Sequence, residues 1–485
     1  MRWGRALLFV LLLLVLGGIG GWLLLLRPVR QPESHDLAAV FNHGSIGNEE
    51  TQGIPFWIWR VLPQVFPDLL PGNGDGYGAF GLHWQRGEAL PTGFSMMTLG
   101  VIPRVAPNCA FCHQGSYRLS PEMPAQRVSA GAGTRVEVQA YLRFLIAAGQ
   151  DPRFTSARLM HEIDAIVALP LWERALYRFV LIPATRKALQ EQAARFAWTA
   201  SRPDWGPGRI DPFNPVKFFN LGLPDDGTIG NSDMMPLWVL GPVLDSASSI
   251  RSLHWDGLMT DLHETVVAGA IGDGLGPGSF PRTRENLARM EEFIRVQMPP
   301  PSPFRSDLAP GDPYRLEAAQ VARGRVLYRR DCAECHDPDG RRFRQPIPAV
   351  ELGTDRHRLD MWTPAARDRY LAYQPDHSWG FRSFRKTEGY TAVNLTGLWL
   401  RGPYLHNGSV PSLRALLLPP AQRPQSFVRG SDLIDAENGG FRADPLAKGW
   451  IYDTRLPGNG NGGHLWGTQL PPAEREDLLA YLKTL

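Results

Sequence analysis

The chain has 485 residues, of which 43% are hydrophobic and 20% are charged, and its net charge is +3. This composition is typical of a globular protein, and the length is enough for two to three domains. So small a charge, without any run of basic residues, argues against nucleic acid as a partner. The 50 glycines and 43 prolines predict a fold that is rich in loops.

An uncharged apolar stretch occupies residues 6–26. It is long enough for a helix to cross a bilayer, and no small-residue cleavage site follows it. Residues 1–30 are therefore predicted to form an uncleaved signal-anchor whose transmembrane helix tethers the protein to the inner membrane. A cleaved secretory signal, after which the body is exported, is the alternative. Residues 31–105 follow, rich in glycine, proline and aromatic side chains, and predict an irregular wrapping segment with one short helix near 57–65.

The motif C-x-x-C-H occurs twice and is the attachment motif for c-type haem. Its two thiols can form thioethers to the haem vinyl groups, and the histidine is then the proximal ligand of the iron. A redox or zinc C-x-x-C site beside a surface histidine is the alternative. The two copies use all four cysteines of the chain: Cys109, Cys112 and His113, then Cys332, Cys335 and His336. Two covalently bound haems c are therefore predicted, in a body that lies in the periplasm, where such haem is attached.

Helical periodicity surrounds both motifs. Residues 136–148, 157–168, 183–200 and 283–296 are predicted helices after the first motif, while 313–330 and 471–485 enclose the second. In c-type haem domains the first and last helices cross beside the haem. The sequence thus predicts a first cytochrome c-like domain at 106–300 and a second at 301–485. No alternation long enough for a sheet stands out, so the predicted fold class is mainly α with long irregular loops.

The ligand opposite each proximal histidine decides whether a haem only transfers electrons or also binds a substrate. For the second haem the prediction is His464, because its glycine-rich loop allows a close approach to iron. His406 is the alternative. No such ligand is evident for the first haem, although four methionines are available: Met96, Met97, Met234 and Met235.

The two motifs, the sequence Leu-His-Trp-Asp-Gly at 253–257 and the segment 401–409 resemble the bacterial di-haem cytochrome c peroxidase superfamily. The likeness is closest to its larger, rubber-oxygenase-like branch, through segments 41–47, 53–59, 404–413 and 423–430. The resemblance implies that the first haem (His113) is reactive and that the second (His336) relays electrons. It also implies that Trp255 lies between them and that a small cytochrome or cupredoxin is the donor.

The sequence departs from both subgroups of that superfamily behind Trp255. The peroxidases have a glutamine and a glutamate ten and twenty residues after this tryptophan, for proton transfer. Thr265 and Leu275 stand there, while Asp273 and Glu264 are close in sequence. A shifted register would be needed to recruit either residue, and Asp273 is taken as the candidate catalytic residue.

The rubber oxygenases place an aromatic side chain fifteen residues after the tryptophan, over the reactive haem. Here that position is Ala270, next to Ile271. The two residues predict an apolar, small-lined pocket that suits oxygen or an apolar substrate.

A calcium ion between the haems is usual in the superfamily. The resemblance places its ligands near Asn394, Arg401 and Pro403, where backbone carbonyls can serve as oxygen donors. Arg401 replaces the family's threonine, which leaves a carbonyl ligand in place.

Three functions stay open at this stage. The first is a haem peroxidase-like oxidoreductase that reduces peroxide with electrons from a small protein. The second is a di-haem oxygenase that acts on an apolar substrate. The third is a membrane-tethered electron carrier with both haems saturated.

Overall fold

The computed structural model has 44% helix and 12% strand, so the prediction of a mainly α fold is wrong and the fold is mixed α/β. The strands are only two to six residues long, too short for the apolar–polar alternation that marks a strand in sequence. The structure describes residues 2–26, 34–85, 87–245, 251–373, 381–444 and 449–485.

The strands are β1 (Ile54–Pro55), β2 (Phe94–Leu99), β3 (Ile102–Pro107), β4 (Gln114–Tyr117), β5 (Gln126–Ser129), β6 (Arg209–Ile210), β7 (Ser232–Asp233), β8 (Pro346–Pro348), β9 (Gly389–Thr391), β10 (Ser426–Arg429) and β11 (Trp450–Asp453). They form a three-stranded antiparallel sheet, ordered β1-β3-β2, and four antiparallel pairs. In the sheet, β2 and β3 join through Gly100, whose φ of 61° suits glycine. This hairpin leads directly into the first C-x-x-C-H motif.

The α-helices are α1 (Arg2–Leu26), α2 (Leu37–His43), α3 (Phe56–Val65), α4 (Val138–Gln150), α5 (Ser156–Ile166), α6 (Leu171–Leu176), α7 (Ile182–Arg195), α8 (Leu240–Asp245), α9 (Leu262–Gly272), α10 (Phe280–Val296), α11 (Ala318–Asp331), α12 (Ala333–His336), α13 (Ala349–Leu352), α14 (His357–Asp360), α15 (Pro364–Ala372), α16 (Leu413–Leu416) and α17 (Pro472–Thr484). The helices predicted around the two motifs are confirmed as α4, α5, α7, α10, α11 and α17, and the short helix near 57–65 as α3.

Helix α1 comprises Arg2–Leu26, and its side chains are described over residues 8–21. Within the described part of the chain, no helix has both the length and the apolar character that crossing a membrane requires. The predictions of a transmembrane signal-anchor and of a periplasmic body tethered to the inner membrane are therefore wrong.

Helices α11 and α17 cross at the second motif. A Cβ atom on Gly324 would lie 1.9 Å from the carbonyl oxygen of Asp477, so only glycine allows this approach. Arg323 and Asp477 form a bidentate ion pair at the same crossing, with both N···O distances equal to 2.7 Å. The last helix thereby fixes the helix that carries Cys332.

The main hydrophobic core joins both halves of the chain. It contains Val267 and Leu287 from the first predicted haem domain together with Trp362 and Trp399 from the second, all essentially inaccessible to solvent. Close-packed interiors resist rearrangement. The two C-x-x-C-H motifs are therefore held at a fixed relative position.

Candidate functional site

The first motif lies in a turn that is anchored at its start. The Asn108 side chain accepts a hydrogen bond from the Ala110 backbone N–H (3.0 Å) and donates to the carbonyls of Phe41 (3.2 Å) and Gly44 (3.0 Å). This cap begins the short 3₁₀ turn that carries Cys109. The thiols and the histidine are thus presented from a rigid backbone.

The second motif is presented by two helices. Helix α11 runs to Asp331, and the short helix α12 contains Cys335 and ends at His336. His336 Nδ1 lies 2.8 Å from the carbonyl oxygen of Val393, and His113 Nδ1 lies 2.9 Å from that of Met235. Because a carbonyl can only accept, each Nδ1 carries the hydrogen and each Nε2 keeps a lone pair. This is the tautomer that binds a metal through Nε2.

Burial holds the thiols and the proximal histidine of the motifs in their neutral forms. It raises the pKa of the Cys109 and Cys332 thiols to about 12. Burial also lowers the pKa of His113 to about 4, so its ring is neutral. No cluster of three or more His, Cys, Asp or Glu side chains within the described ranges could hold a metal ion.

Each motif opens into a cavity. The first cavity is lined by Cys109, Cys112 and His113, and the second by Cys332, Cys335 and His336. Trp255 lines both cavities. Its indole N–H donates to the carbonyl oxygen of Asp233 at 3.0 Å, which fixes the ring in the wall between them.

His464 faces His336 across the second cavity. Their ring centroids are 6.3 Å apart. A metal ion between the rings would need two metal–nitrogen bonds of about 2.0–2.1 Å each, and the distance from each nitrogen to its ring centre accounts for the rest. The His464 loop is held in place by Arg423, which donates to the carbonyls of Asn461 (2.6 Å), Gly463 (2.8 Å) and His464 (3.2 Å).

The alternative ligand, His406, is placed differently. It also lines the second cavity, but its ring stacks on Tyr390 with centroids 3.9 Å apart and planes inclined by 17°. Its Nε2 atom is buried without a hydrogen-bond partner. The structure therefore brings His464, rather than His406, opposite the proximal histidine.

Among the predicted catalytic residues, Asp273 and Ile271 line the first cavity, whereas Ala270 is fully buried in the core and is not part of the lining. Burial raises the pKa of Asp273 to about 7. The Asp273 charge in turn raises the pKa of Cys109 and Cys112, so the carboxyl group is close to the haem-attaching thiols.

Glu264 does not face the first cavity. Its carboxylate accepts hydrogen bonds from the backbone N–H groups of Arg382 (2.9 Å) and Ser383 (2.8 Å) and from the Ser383 hydroxyl (2.6 Å). These bonds tie α9 to the segment that begins at residue 381. Its role is therefore structural.

Two of the four methionines considered as ligands line the first cavity. Met96 and Met97 lie in β2, outside the lining. Met234 and Met235 line it, and the Met235 carbonyl lies against Nδ1 of His113. A methionine ligand opposite His113 stays open as an alternative.

Sequence reasoning missed His254. It lines the first cavity, adopts a φ of 63° and buries an Nε2 atom that has no hydrogen-bond partner. Burial lowers its pKa to about 4. The available signal in the sequence was a histidine directly before Trp255. The structure adds the positive φ, and such strained backbone in a non-glycine residue concentrates at functional sites.

The calcium site near Asn394, Arg401 and Pro403 stays a prediction. The Asn394 side-chain oxygen accepts from the Thr396 N–H at 2.8 Å. The Thr396 carbonyl accepts from the Arg401 guanidinium at 3.0 and 3.3 Å. The Arg401 side chain thus brings a positive charge to the segment where the ion is expected.

Residues 389–428 match the protein family described as RoxA-like, cytochrome c-like. This match supports the resemblance to rubber-oxygenase-like cytochromes, and it implies covalently bound haem c and a haem-based oxidoreductase or electron-transfer role. The matched segment contains His406 and Arg423 but neither C-x-x-C-H motif.

Two uncharacterised proteins of Sinorhizobium fredii (strain NBRC 101917 / NGR234) are similar to parts of the chain. Protein y4iJ is 43% identical over 20% of this chain and 18% of its own length, and y4iM is 30% identical over 36% of this chain and 50% of its own length. The chain thus spans half or less of the relatives that it matches.

Proposed function

We propose that the protein is a di-haem c-type oxidoreductase of the peroxidase type. In this proposal the haem attached beside His113 is the reactive site, and the haem attached beside His336 relays electrons to it through Trp255. The position of Trp255 carries the proposal, because its indole lines both cavities. An aromatic ring in the wall between two redox centres shortens the distance that an electron must tunnel.

The two cavities differ in a way that suits this division of roles. At the second motif, His464 stands where it would close the sixth position of the iron, and a saturated haem transfers electrons without binding substrate. At the first motif the proximal histidine is fixed by the Met235 carbonyl. The lining opposite includes Ile271 and the carboxyl group of Asp273. That haem would be open to a small ligand.

Asp273 supplies the acid that this chemistry needs. Bound haem c would provide the redox-active iron on which peroxide is reduced. Reduction of hydrogen peroxide to two waters consumes two electrons and two protons, and a carboxyl group with a pKa of about 7 still carries a proton near neutral pH. The backbone of Asp273 is fixed by Asn48, whose side-chain amide donates to the Asp273 carbonyl at 2.9 Å.

An oxygenase that attacks an apolar substrate is the second candidate. The RoxA-like match at residues 389–428 favours it, as does the apolar part of the first cavity, with Phe213, Phe219, Ile271 and Leu275. Such a lining suits a hydrocarbon chain and offers few hydrogen-bond partners to a polar one.

A turnover assay with the haem-loaded protein separates the two candidates. The protein is mixed with a reduced small cytochrome and hydrogen peroxide, and separately with oxygen and a long-chain alkene, while oxidation of the cytochrome and uptake of oxygen are recorded. Peroxide-dependent oxidation of the cytochrome is expected. Alkene-dependent oxygen uptake without peroxide turnover would replace the first function by the second, and no activity in either assay would contradict both.

A further inference from the structure

Arg401 lines the second cavity and Arg344 is buried near it, and neither has a carboxylate partner among the residues that the structure describes. Arg344 is 3% exposed, and Arg401 lines the cavity that also contains His336 and His464. Buried guanidinium groups are ordinarily paired, because an unpaired charge in a protein interior costs several kcal/mol.

The hydrogen bonds of the two arginines leave donors unused. Arg401 donates from Nε (3.3 Å) and Nη2 (3.0 Å) to the Thr396 carbonyl and lies 5.7 Å from the ring centroid of Trp238. Arg344 has a single contact at the limit of a hydrogen bond, from Nη1 to the Ser252 carbonyl at 3.5 Å, and its Nε has no partner. Carbonyl groups accept these bonds but do not neutralise the charge.

The electrostatic surroundings point the same way. Burial, together with the nearby Arg344 charge, lowers the pKa of Arg401 to about 9. Burial alone lowers the pKa of Arg344 to about 10. Neither arginine forms an ion pair with an Asp or Glu side chain of the residues that the structure describes. An anion that enters the second cavity would therefore meet a preformed, desolvated positive site.

We propose that Arg401, supported by the charge of Arg344, binds a propionate carboxylate of the second haem and acts as a fixed cation in the place predicted for calcium. Haem c carries two propionates, and a guanidinium recognises a carboxylate through two parallel N–H···O bonds. The inference goes beyond the proposed function, because it holds whichever reaction occurs at the first haem.

The proposal has a definite electrochemical sign. A positive charge beside a haem favours the reduced state, which carries one positive charge fewer. Removing the charge must therefore lower the reduction potential of the second haem. It must also raise the pKa of the propionate, so that its proton uptake makes the potential pH-dependent near neutral pH.

The experiment compares four variants of the haem-loaded protein by spectroelectrochemical titration: Arg401→Gln, Arg344→Gln, Arg401→Lys and Arg341→Gln. Arg401→Gln is expected to weaken reduction of the second haem about tenfold, a fall of about 59 mV for a one-electron couple, with a smaller fall for Arg344→Gln. Arg401→Lys should restore most of the potential because it keeps the charge.

Arg341→Gln is the matched control, since Arg341 carries the same charge near the second motif with a side chain that is 88% exposed. Because solvent screens this charge, the reduction potential of the second haem should be unchanged in Arg341→Gln. Chelation of calcium should likewise leave the potential of the unaltered protein unchanged.

Three results would overturn the inference: an unchanged potential in Arg401→Gln, an equal fall in Arg341→Gln, or a fall of potential on chelation of calcium. A loss of folding would show itself as a loss of haem absorbance, and Arg401→Lys then decides, because it must retain both haem and potential. Loss of haem from the second motif of the unaltered protein would instead contradict the proposed function. The two failures are therefore distinguishable.

Discussion

The imidazole rings of His336 and His464 face each other with their centroids 6.3 Å apart and their planes inclined by 55°. Burial lowers the pKa of His464 to about 3, so its ring is neutral and can donate a lone pair to a metal. The pair distinguishes the second motif from the first and is the basis of the first prediction.

Replacement of His464 by alanine is expected to convert the second haem from low-spin to high-spin, because the iron loses its sixth ligand. Absorption and electron paramagnetic resonance spectra of the haem-loaded variant measure this change. His406→Ala is the control and should stay low-spin. A low-spin second haem in His464→Ala together with a high-spin one in His406→Ala would reverse the assignment.

Asp273→Asn keeps the shape of the side chain but removes the acid. We expect peroxide reduction to fall by roughly 10²- to 10⁴-fold, the usual contribution of a general acid. Stopped-flow measurement of kcat/KM for peroxide tests this. The spectrum of the second haem should not change, and Glu264→Gln should have little effect on peroxide reduction because that carboxylate lies outside the cavity. Full activity of Asp273→Asn would exclude Asp273 as the proton donor.

The pH profile of the unaltered protein should report the same group. The folded-state pKa of Asp273 is raised from 3.8 to about 7, so the carboxyl group is protonated below that pH and loses its proton above it. As the required form is the acid, kcat/KM for peroxide should fall as the pH rises through about 7. Asp273→Asn should show no such step, and a profile with the same step in both proteins would assign it to another group.

Trp255→Phe tests the path between the haems. The substitution keeps an aromatic ring but removes the N–H that donates to the Asp233 carbonyl at 3.0 Å. Electron transfer from the second haem to the first should slow, while both haem spectra stay unchanged. The second haem is reduced in a stopped-flow instrument, and the change in absorbance of the first haem gives the rate of electron transfer between them. An equal rate in both proteins would remove Trp255 from the path.

Gly324→Ala tests the crossing of α11 and α17. Alanine usually stabilises a helix relative to glycine by about 1 kcal/mol, but here its Cβ would lie 1.9 Å from the Asp477 carbonyl oxygen. Gly324→Ala should therefore destabilise the protein, with a loss of about 1–3 kcal/mol in the free energy of unfolding from overpacking. Denaturant unfolding measures it. Val326→Ala, at a position 67% exposed on the same helix, should change stability by less than about 0.5 kcal/mol.

Many of the helices could be predicted from local patterns in the sequence. The helices next to each C-x-x-C-H motif follow from the spacing of apolar residues, and the structure contains them as α10, α11 and α17. The strands do not follow. The pair of β6 and β7, with two residues in each strand, forms only because two separate segments meet in the folded chain. Two residues are too few to show the alternation of apolar and polar side chains by which a strand is predicted.

The site was predictable where the chemistry is local. The glycines before His464 predicted its close approach to the second cavity, and it lies 6.3 Å from His336 between ring centroids. Asp273 was suggested only by a resemblance in a shifted register, and its catalytic role stays a prediction. Ala270 and Ile271 are adjacent in sequence, yet on a helix they point in directions about 100° apart, and Ile271 lines the cavity while Ala270 enters the core. Arg344 and Arg401 come together from segments far apart in sequence, and only the folded chain reveals that their charges lie close together.

The central claim is that one haem is saturated and the other open. An electron paramagnetic resonance spectrum of the purified, haem-loaded protein, recorded before and after addition of peroxide, tests it most directly. The account predicts one low-spin haem that is unaffected by peroxide and one high-spin haem whose signal changes. Two low-spin haems, both unaffected by peroxide, would contradict it.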